Sequence, residues 1–409
     1  MTNNRISLEI KYYLYILLTN LRFTRIINVL FIVQFLGLSL VQFTLFQSIF
    51  LFSQFISEVP SGLLGDILSK KKVVFIGLIL LAFSPILTIS SLFVYKNVIY
   101  YCLILAFIFE GMGNAFLSGA DDALFFEALR NEGKEEKYGK VRGRLQLISS
   151  LTLGVATFLG GGLYSVNKLL PYVLQSITII SSGFIVFSIF EIRKVNKDSV
   201  NYSENKILKD ILAIFYKMTK SPKILFMFLF TTIIVSVINV IFALLPNYFS
   251  AIGFSAATNG SLFMFYSIFG GVVATQAYRI SRVPVPKLIR IISLILMISI
   301  FCQVMPSTVA FTISLLFLYI IIDILDPIIM EMLHLWVEDK ARTTIISGLS
   351  FSISLVTMVM NPIVGFGVQI FEMKRAVLYI SIFIFCMILF SYILIERARS
   401  GRKDEKKII

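Results

Sequence analysis

Residues 57–77 of the chain read SEVPSGLLGDILSKKKVVFIG and connect two long apolar stretches. The connection carries one acid, Asp66, and three consecutive lysines, Lys70–Lys72. Lysines at the tip of an apolar hairpin are typical of a cytoplasmic loop in a protein that crosses the membrane several times. Gly62 and Gly65 would let two helices approach closely beside the acid, since glycine has no side chain. We therefore predict two membrane-spanning helices that are joined on the cytoplasmic side.

The composition extends this prediction to the whole chain. Of its 409 residues, 57% are hydrophobic and 15% are charged, and the mean hydropathy is +0.89. Soluble domains contain about 45–50% apolar and about 25% charged residues, so the chain is not a soluble domain with an anchor. The net charge of +14 lies mainly in the predicted loops and therefore indicates membrane topology rather than nucleic-acid binding. The three cysteines lie far apart in apolar segments, so neither a disulfide nor a metal site is expected.

Twelve apolar stretches are long enough to cross the membrane as helices, which takes about 20 residues each. They cover residues 14–36, 41–64, 73–95, 99–125, 145–166, 170–191, 224–249, 258–279, 288–305, 309–333, 345–368 and 374–395. Of the 37 lysine and arginine residues, 31 lie in loops on the side of the two termini and four on the opposite side. By the positive-inside rule, both termini are therefore cytoplasmic.

The longest hydrophilic break follows the sixth stretch and divides the chain into two halves. It covers residues 193–223, and its second part, 207–220, alternates apolar and basic residues at helical spacing. This pattern is typical of a helix on the anionic inner leaflet, and a mobile linker is the other interpretation. We expect an all-α membrane protein whose twelve transmembrane helices form two pseudo-symmetric six-helix bundles, 1–192 and 224–396, followed by a basic cytoplasmic tail, 397–409.

The loop quoted above resembles the signature loop between helices 2 and 3 of the major facilitator superfamily, usually written G-x-L-a-D-r-x-G-r-k. Residues 62–72 match it except that Ile67 and Ser69 replace a basic residue and a glycine. Residues 58–62 and 119–124 resemble one bacterial branch of the superfamily, which includes many efflux pumps. The resemblance covers the whole chain. It implies a twelve-helix secondary transporter of the bacterial cytoplasmic membrane that works by alternating access, not an enzyme.

Two motifs of drug/proton antiporters are matched in part. Residues 107–113, FIFEGMG, align with the helix-4 motif R-x-x-Q-G-x-G and keep its glycines, with Glu110 at the glutamine position. Residues 156–161, ATFLGG, align with the helix-5 motif G-P-x-x-G-G and keep its last two glycines. The arginine of the first motif and the glycine and proline that open the second are absent.

Polar residues at middle depth in the predicted helices are the candidates for function. An ionised group near the bilayer centre costs at least about 2.5–3.5 kcal/mol, so each needs a partner, a wet cavity or a function. The resemblance implies that helices 1, 4, 7 and 10 line a central cavity, and all four carry polar residues at this depth. The candidates for substrate binding or proton coupling are Arg22, Glu110, Asn114, Asn239, Asp323 and Asp326.

Several of these candidates have a structural alternative. Glu110 either handles protons or substrate, pairs permanently with an arginine of the first helix, or occupies a wet position without a role. Asp323 and Asp326 either act in transport or form hydrogen bonds between helices. Arg22 either forms an ion pair with Glu58, which lies at a comparable depth, or binds an anionic group. The sequence leaves these alternatives open.

The resemblance also implies a cytoplasmic latch near the loop quoted above. Asp66 would pair with Arg130 or with the start of helix 11, stabilise the outward-open state and separate as the halves move. Lys70–Lys72 are expected to be topology anchors rather than part of this latch. The residues assigned to the latch are Asp66, Gly62, Gly65, Arg130, Asp121 and Glu58.

We therefore expect a secondary active transporter that exports a small hydrophobic or amphiphilic molecule in exchange for protons. The 39 phenylalanine and 13 methionine residues can line an adaptable apolar cavity. An ion-coupled importer of a small polar solute and a non-transporting scaffold or sensor are the alternatives. The expected partners are a small-molecule substrate, protons or another coupling ion, and the lipid bilayer. No nucleic acid, cofactor, metal or second copy of the chain is expected.

Overall fold

The computed structural model describes residues 7–134, 138–189, 222–274, 285–336 and 339–405, and within these ranges it leaves some side chains undescribed. The described ranges are helical almost throughout and contain no β-strand. The helices are α1 (Leu8–Asn20), α2 (Ile27–Val29, continued by a π-helix, Leu30–Phe35), α3 (Leu40–Ile67), α4 (Lys70–Ser90, followed by a 3₁₀ turn, Ser91–Phe93), α5 (Lys96–Leu117), α6 (Ala120–Asn131), α7 (Tyr138–Val166), α8 (Leu170–Phe187), α9 (Pro222–Ala251), α10 (Ala256–Ala274), α11 (Val285–Val304), α12 (Thr308–Trp336) and α13 (Asp339–Glu405).

Nine helical stretches in the described ranges are long and apolar enough to cross a membrane. One of them, Gly348–Phe390, is 43 residues long and bends at Glu372, so it is long enough for two crossings. The shorter apolar helix Leu151–Val166 and the interrupted first helix add two more. The described helices are thus consistent with the predicted twelve. Helix α13 continues to Glu405, within the segment predicted as the tail, 397–409.

Helix α8 shows why these helices suit a bilayer. Its buried face carries the polar side chains of Gln175 and Ser182, whereas Phe184 and Phe187 are 74% and 72% exposed. An exposed apolar face is stable in lipid, while buried polar side chains can form hydrogen bonds within the protein. The distribution is therefore the one expected for a helix that faces hydrocarbon on one side.

The described helices belong to two compact units. The first contains Met1–Asn201 together with Pro246–Met264, and the second contains Tyr202–Leu245 and Phe265–Ile409. In the first unit α4 packs against α5 and α8, and α3 packs against α5; in the second, α11 packs against α12 and α13. The predicted linker, 193–223, lies outside the described residues except for its last two, so the predicted domain bounds stay predictions.

The close helix approach predicted at Gly62 is wrong. A side chain added at Gly62 would have no atom within 4 Å, and the surroundings of Gly65 lie outside what the structure describes. The close approaches lie on α5 instead, where a Cβ added at Gly111 would overlap the carbonyl oxygen of Phe50 and one at Gly113 would meet the α4 backbone. Helices α3 and α4 therefore pack closely on α5 because of the glycines of its antiporter-like motif.

Candidate functional site

The first predicted helix is not continuous. Helix α1 ends at Asn20, residues 21–26 leave the helical conformation, and a helix resumes at Ile27. The expectation of one helix over residues 14–36 is therefore wrong at its centre. In membrane proteins such breaks occur where protein groups or a wet cavity satisfy the backbone that the helix no longer pairs.

Two residues of other helices accommodate this break. The Oε1 atom of Gln175 on α8 accepts hydrogen bonds from the Thr24 N–H at 3.0 Å and from the Thr24 hydroxyl at 2.9 Å. On α7, a Cβ added at Gly160 would overlap the carbonyl oxygen of Phe23. Only glycine lets the two backbones approach this closely. The sequence analysis did not predict that either residue contacts the first helix. Gln175 is nevertheless the one amide in an apolar helix, and Gly160 belongs to the helix-5 motif.

The break places Arg22 beside polar residues of α5. Its guanidinium donates a 2.7 Å hydrogen bond to Oδ1 of Asn114, whose amide donates a 2.7 Å hydrogen bond to the backbone carbonyl of Glu110. The Glu110 carboxylate accepts a hydrogen bond from the hydroxyl of Ser84 on α4 and lies near enough to Arg22 for electrostatic attraction. We call Arg22, Ser84, Glu110 and Asn114 the Arg22–Glu110 cluster.

This cluster unites three of the six residues predicted to bind substrate or couple protons. The side chains of Arg22, Glu110 and Asn114 are all partly exposed. The direct hydrogen-bond partner of Arg22 is Asn114, and the structure does not bring Arg22 to Glu58, which is exposed on α3. The choice between proton handling and permanent pairing for Glu110 stays a prediction.

The fourth predicted helix is also interrupted. Helix α5 ends at Leu117 and α6 begins at Ala120, and Gly119 lies between them with a φ of 77°. This left-handed conformation is one that glycine adopts without strain. The chain therefore starts a second, short helix at this point instead of extending the first.

Two tyrosines of α1 form hydrogen bonds to the start of this short helix. Asp121 and Asp122 lie in the first turn of α6, where negative charge is favourable because of the helix dipole. The hydroxyl of Tyr15 donates a 3.3 Å hydrogen bond to Asp121, and that of Tyr12 donates one to Asp122. The Tyr12 ring also stacks on Phe125, with 3.8 Å between ring centroids. Asp121 is thus held by α1, through tyrosines that the sequence did not single out.

The residues assigned to the latch are described only in part. The side chain of Asp66 lies outside the described residues. Arg130 is exposed, with its guanidinium 5.8 Å from the centre of the Phe126 ring. At this end of the unit, an ion pair joins Lys70 to Glu127, so one lysine of the loop has a structural contact as well. The latch itself stays a prediction.

The remaining candidates belong to the second unit. Asp323 lies on α12 and is partly exposed, and a Cβ added at Gly270 on α10 would overlap its Oδ2 atom. Asn239 on α9 is exposed. The side chain of Asp326 lies outside the described residues. The contact between Gly270 and Asp323 was not predicted, since a glycine in an apolar helix does not indicate which residue packs against it.

Helices with exposed apolar faces and interrupted, charged segments are typical of polytopic membrane transporters. The model of the Major Facilitator Superfamily matches residues 14–324, and the chain therefore belongs to the Major Facilitator Superfamily. This match confirms the predicted fold class and the family resemblance. No curated protein sequence matches the chain significantly.

Solved structures agree with this assignment. The nucleoside transporter NupG has a TM-score of 0.72 at 14% identity, with 95% of this chain and 98% of that chain covered. A bacterial homologue of the iron transporter ferroportin, in an inward-facing state, has a TM-score of 0.66 at 14% identity, covering 95% and 98%. A bacterial homologue of the human lysosomal transporter Spinster has a TM-score of 0.66 at 11% identity, covering 95% of each chain. At these identities the likeness shows the fold.

Proposed function

We propose that the chain is a proton-coupled exporter of a small hydrophobic or amphiphilic molecule, located in the bacterial cytoplasmic membrane and active as a monomer. The observation that carries this proposal is the Arg22–Glu110 cluster beside the break in the first helix. A partly exposed carboxylate among membrane helices can take up and release a proton, and Arg22 supplies its charge partner. Interrupted helices accompany the binding sites of many transporters.

Protonation of Glu110 would change the forces on Arg22. The ionised carboxylate attracts the guanidinium, and this attraction disappears when the carboxylate takes up a proton. Arg22 then keeps its hydrogen bond to Asn114 but loses its countercharge. A difference of this kind between protonation states biases an equilibrium between two conformations, which is what coupling to a proton gradient requires.

Flux into vesicles with an imposed pH gradient tests this function. A susceptibility screen of a deletion strain and an overexpressing strain first identifies compounds whose toxicity depends on the protein. Everted vesicles with an acidic interior should then accumulate such a compound, and a protonophore should abolish the accumulation. Equal accumulation with and without the pH gradient would contradict proton coupling.

Import of a small polar solute is the second candidate. The Arg22–Glu110 cluster offers both donors and acceptors, and a nucleoside transporter shares the fold. The two candidates differ in the direction of driven flux. An importer would accumulate its solute in right-side-out vesicles placed in acidic medium, whereas the exporter would accumulate its substrate in everted vesicles.

Cysteine labelling tests the proposed cytoplasmic termini. This topology places Ser307 outside the cell and Asn131 inside, and both side chains are exposed. In a variant whose three native cysteines are replaced by serine, Ser307→Cys should react with a membrane-impermeant maleimide in intact cells. Asn131→Cys should react only after permeabilisation. Reaction of Asn131→Cys in intact cells would contradict the topology.

We further propose that Asp66 forms a latch with Arg130 or with the start of the eleventh helix. The Asp66→Asn variant should then cycle more slowly and change the labelling rate of Asn131→Cys, because the latch no longer stabilises one conformation. Lys70→Gln is the control, since a partly exposed ion pair contributes at most about 1 kcal/mol. Equal labelling rates in Asp66→Asn and the parent protein would exclude the latch.

A further inference from the structure

Three aromatic rings of the second unit meet near a carboxylate. Phe242 on α9 lies 5.1 Å from Tyr319 on α12 and 6.2 Å from Tyr266 on α10, measured between ring centroids. The rings of Tyr266 and Tyr319 are 6.1 Å apart. Asp323 follows Tyr319 by four residues, which places it one helical turn further along the same face of α12. We call Phe242, Tyr266, Tyr319 and Asp323 the aromatic–acid cluster.

Gly270 sets the position of the carboxylate in this cluster. A Cβ added at Gly270 would overlap Oδ2 of Asp323 and would lie 2.9 Å from Cδ1 of Tyr319. The absence of a side chain therefore lets Asp323 lie against the backbone of α10, beside the Tyr319 ring. At the next residue, Gly271, an added Cβ would meet open space, so only the first glycine of the pair has this role.

Two of the three rings are buried, and the acid is partly exposed. Tyr266 is 1% exposed and its hydroxyl donates a 2.9 Å hydrogen bond to the carbonyl of Thr312. Phe242 is also buried, whereas Tyr319 and Asp323 are partly exposed. Asn239, which precedes Phe242 by one turn of α9, is exposed. The cluster thus combines two buried aromatic rings with a third ring and a carboxylate that are partly exposed.

We propose that the aromatic–acid cluster is a subsite for an organic cation, with Asp323 facing the positive charge and Tyr319, packed against Phe242, lining its apolar part. Aromatic rings attract cations through their negative faces, and the attraction is stronger where water is excluded. This inference rests on the proposed transport function and names its substrate class. A molecule that is both apolar and positively charged would use both features of the cluster.

A metal ion fits this arrangement less well. Hard cations such as Ca²⁺ take six to eight oxygen ligands, and transition metals in proteins prefer histidine or cysteine. Within the ranges that the structure describes, no group of three or more histidine, cysteine or acidic side chains could hold a metal ion. A ligand that brings its own apolar surface matches the three rings better.

Binding of fixed-charge cations to the purified full-length protein tests the proposal. The probes are tetramethylammonium, benzyltrimethylammonium and tetraphenylphosphonium, which differ in size, and tetraphenylborate, which matches the last in shape but is an anion. We expect at least one cation to bind and tetraphenylborate not to bind. Asp323→Asn and Gly270→Ala should each lower the affinity for the cation about tenfold. Asp323→Asn removes the negative charge, and Gly270→Ala displaces the carboxylate.

Matched variants separate this role from a general packing defect. Gly271→Ala should bind like the wild type, because its added methyl group meets open space. Tyr319→Phe should keep the affinity and Tyr319→Leu should lose it, since only the aromatic ring is needed. The proposal is overturned if no cation binds, if tetraphenylborate binds as well as tetraphenylphosphonium, or if Asp323→Asn and Gly270→Ala bind like the wild type.

The binding test is independent of the transport test. Proton-driven flux of a neutral amphiphile without any cation binding would retain the proposed exporter and overturn the cation subsite. Cation binding that depends on Asp323, without any proton-driven flux, would retain the subsite and overturn proton-coupled export.

Discussion

The Glu110→Gln variant is expected to lose proton-driven transport while keeping its wild-type abundance in the membrane. Glutamine has nearly the shape of glutamate and can still accept the hydrogen bond of Ser84, but it cannot take up and release a proton. We expect the pH-driven initial rate to fall at least about tenfold, within the range of ordinary coupling free energies. The measurement is the initial flux into everted vesicles with and without a pH gradient, normalised to the amount of protein.

The matched control for this variant is Glu127→Gln. Glu127 lies in the same unit, but it pairs with Lys70 and its side chain is 32% exposed. Neutralising it should leave the pH-driven rate unchanged, because a partly exposed pair contributes little. If the flux of Glu110→Gln still follows the pH gradient, Glu110 has no part in the coupling.

Arg22→Gln distinguishes proton handling from permanent pairing. Removing one partner of a charge pair among membrane helices destabilises the protein, because the other charge is left without a partner. If Arg22 and Glu110 are only a structural pair, each single variant should lower the abundance and the double variant should restore it. Proton handling predicts that Glu110→Gln is abundant but inactive, and that the double variant remains inactive.

The membrane crossings could be predicted from the sequence because they depend on local composition. About 20 consecutive apolar residues suffice to cross the hydrocarbon, and lysine and arginine mark the loops on one side. Helix α8 illustrates the limit of this reasoning. Its apolar character is evident in the sequence, but the inward direction of Gln175 follows only from its contact with Thr24.

The break in the first helix could not be predicted because its causes are distant in sequence. Residues 21–26 read LRFTRI and contain neither glycine nor proline. The residue that satisfies the open backbone, Gln175, follows Thr24 by 151 positions. The break in the fourth helix differs, since Gly119 with aspartates two and three residues later is a local signal for the start of a new helix.

The Arg22–Glu110 cluster could be predicted only where its residues lie close together in the sequence. Glu110 and Asn114 are four residues apart, so helical periodicity alone places them on one face. Ser84 could not be found, because one serine in an apolar helix gives no sign of the carboxylate it contacts. Arg22 lies in the interrupted segment and donates a hydrogen bond to Asn114, a contact between positions 92 residues apart that helical periodicity does not predict.

The Gly160→Ala variant is expected to lower both stability and transport, because it forces α7 away from the break in the first helix. The added Cβ would overlap the carbonyl oxygen of Phe23, and the neighbouring Thr24 is fixed by its two hydrogen bonds to Gln175. Overpacking a tight contact costs about 1–3 kcal/mol, so the midpoint of thermal unfolding of the purified protein should fall by several degrees. Vesicle flux should fall with it, since the break positions Arg22.

Gly162→Ala is the matched control on the same helix. No atom lies within 4 Å of a Cβ added at Gly162, and alanine favours a helix over glycine by about 1 kcal/mol, so this variant should be at least as stable as the wild type. A Gly160→Ala variant that melts early but transports at the wild-type rate would limit the break to a structural role. If Gly160→Ala has the same unfolding midpoint and the same vesicle flux as Gly162→Ala, the break tolerates a side chain beside Phe23. The position of Arg22, and with it the proton-coupling site proposed around Glu110, would then not depend on the close approach of these two backbones.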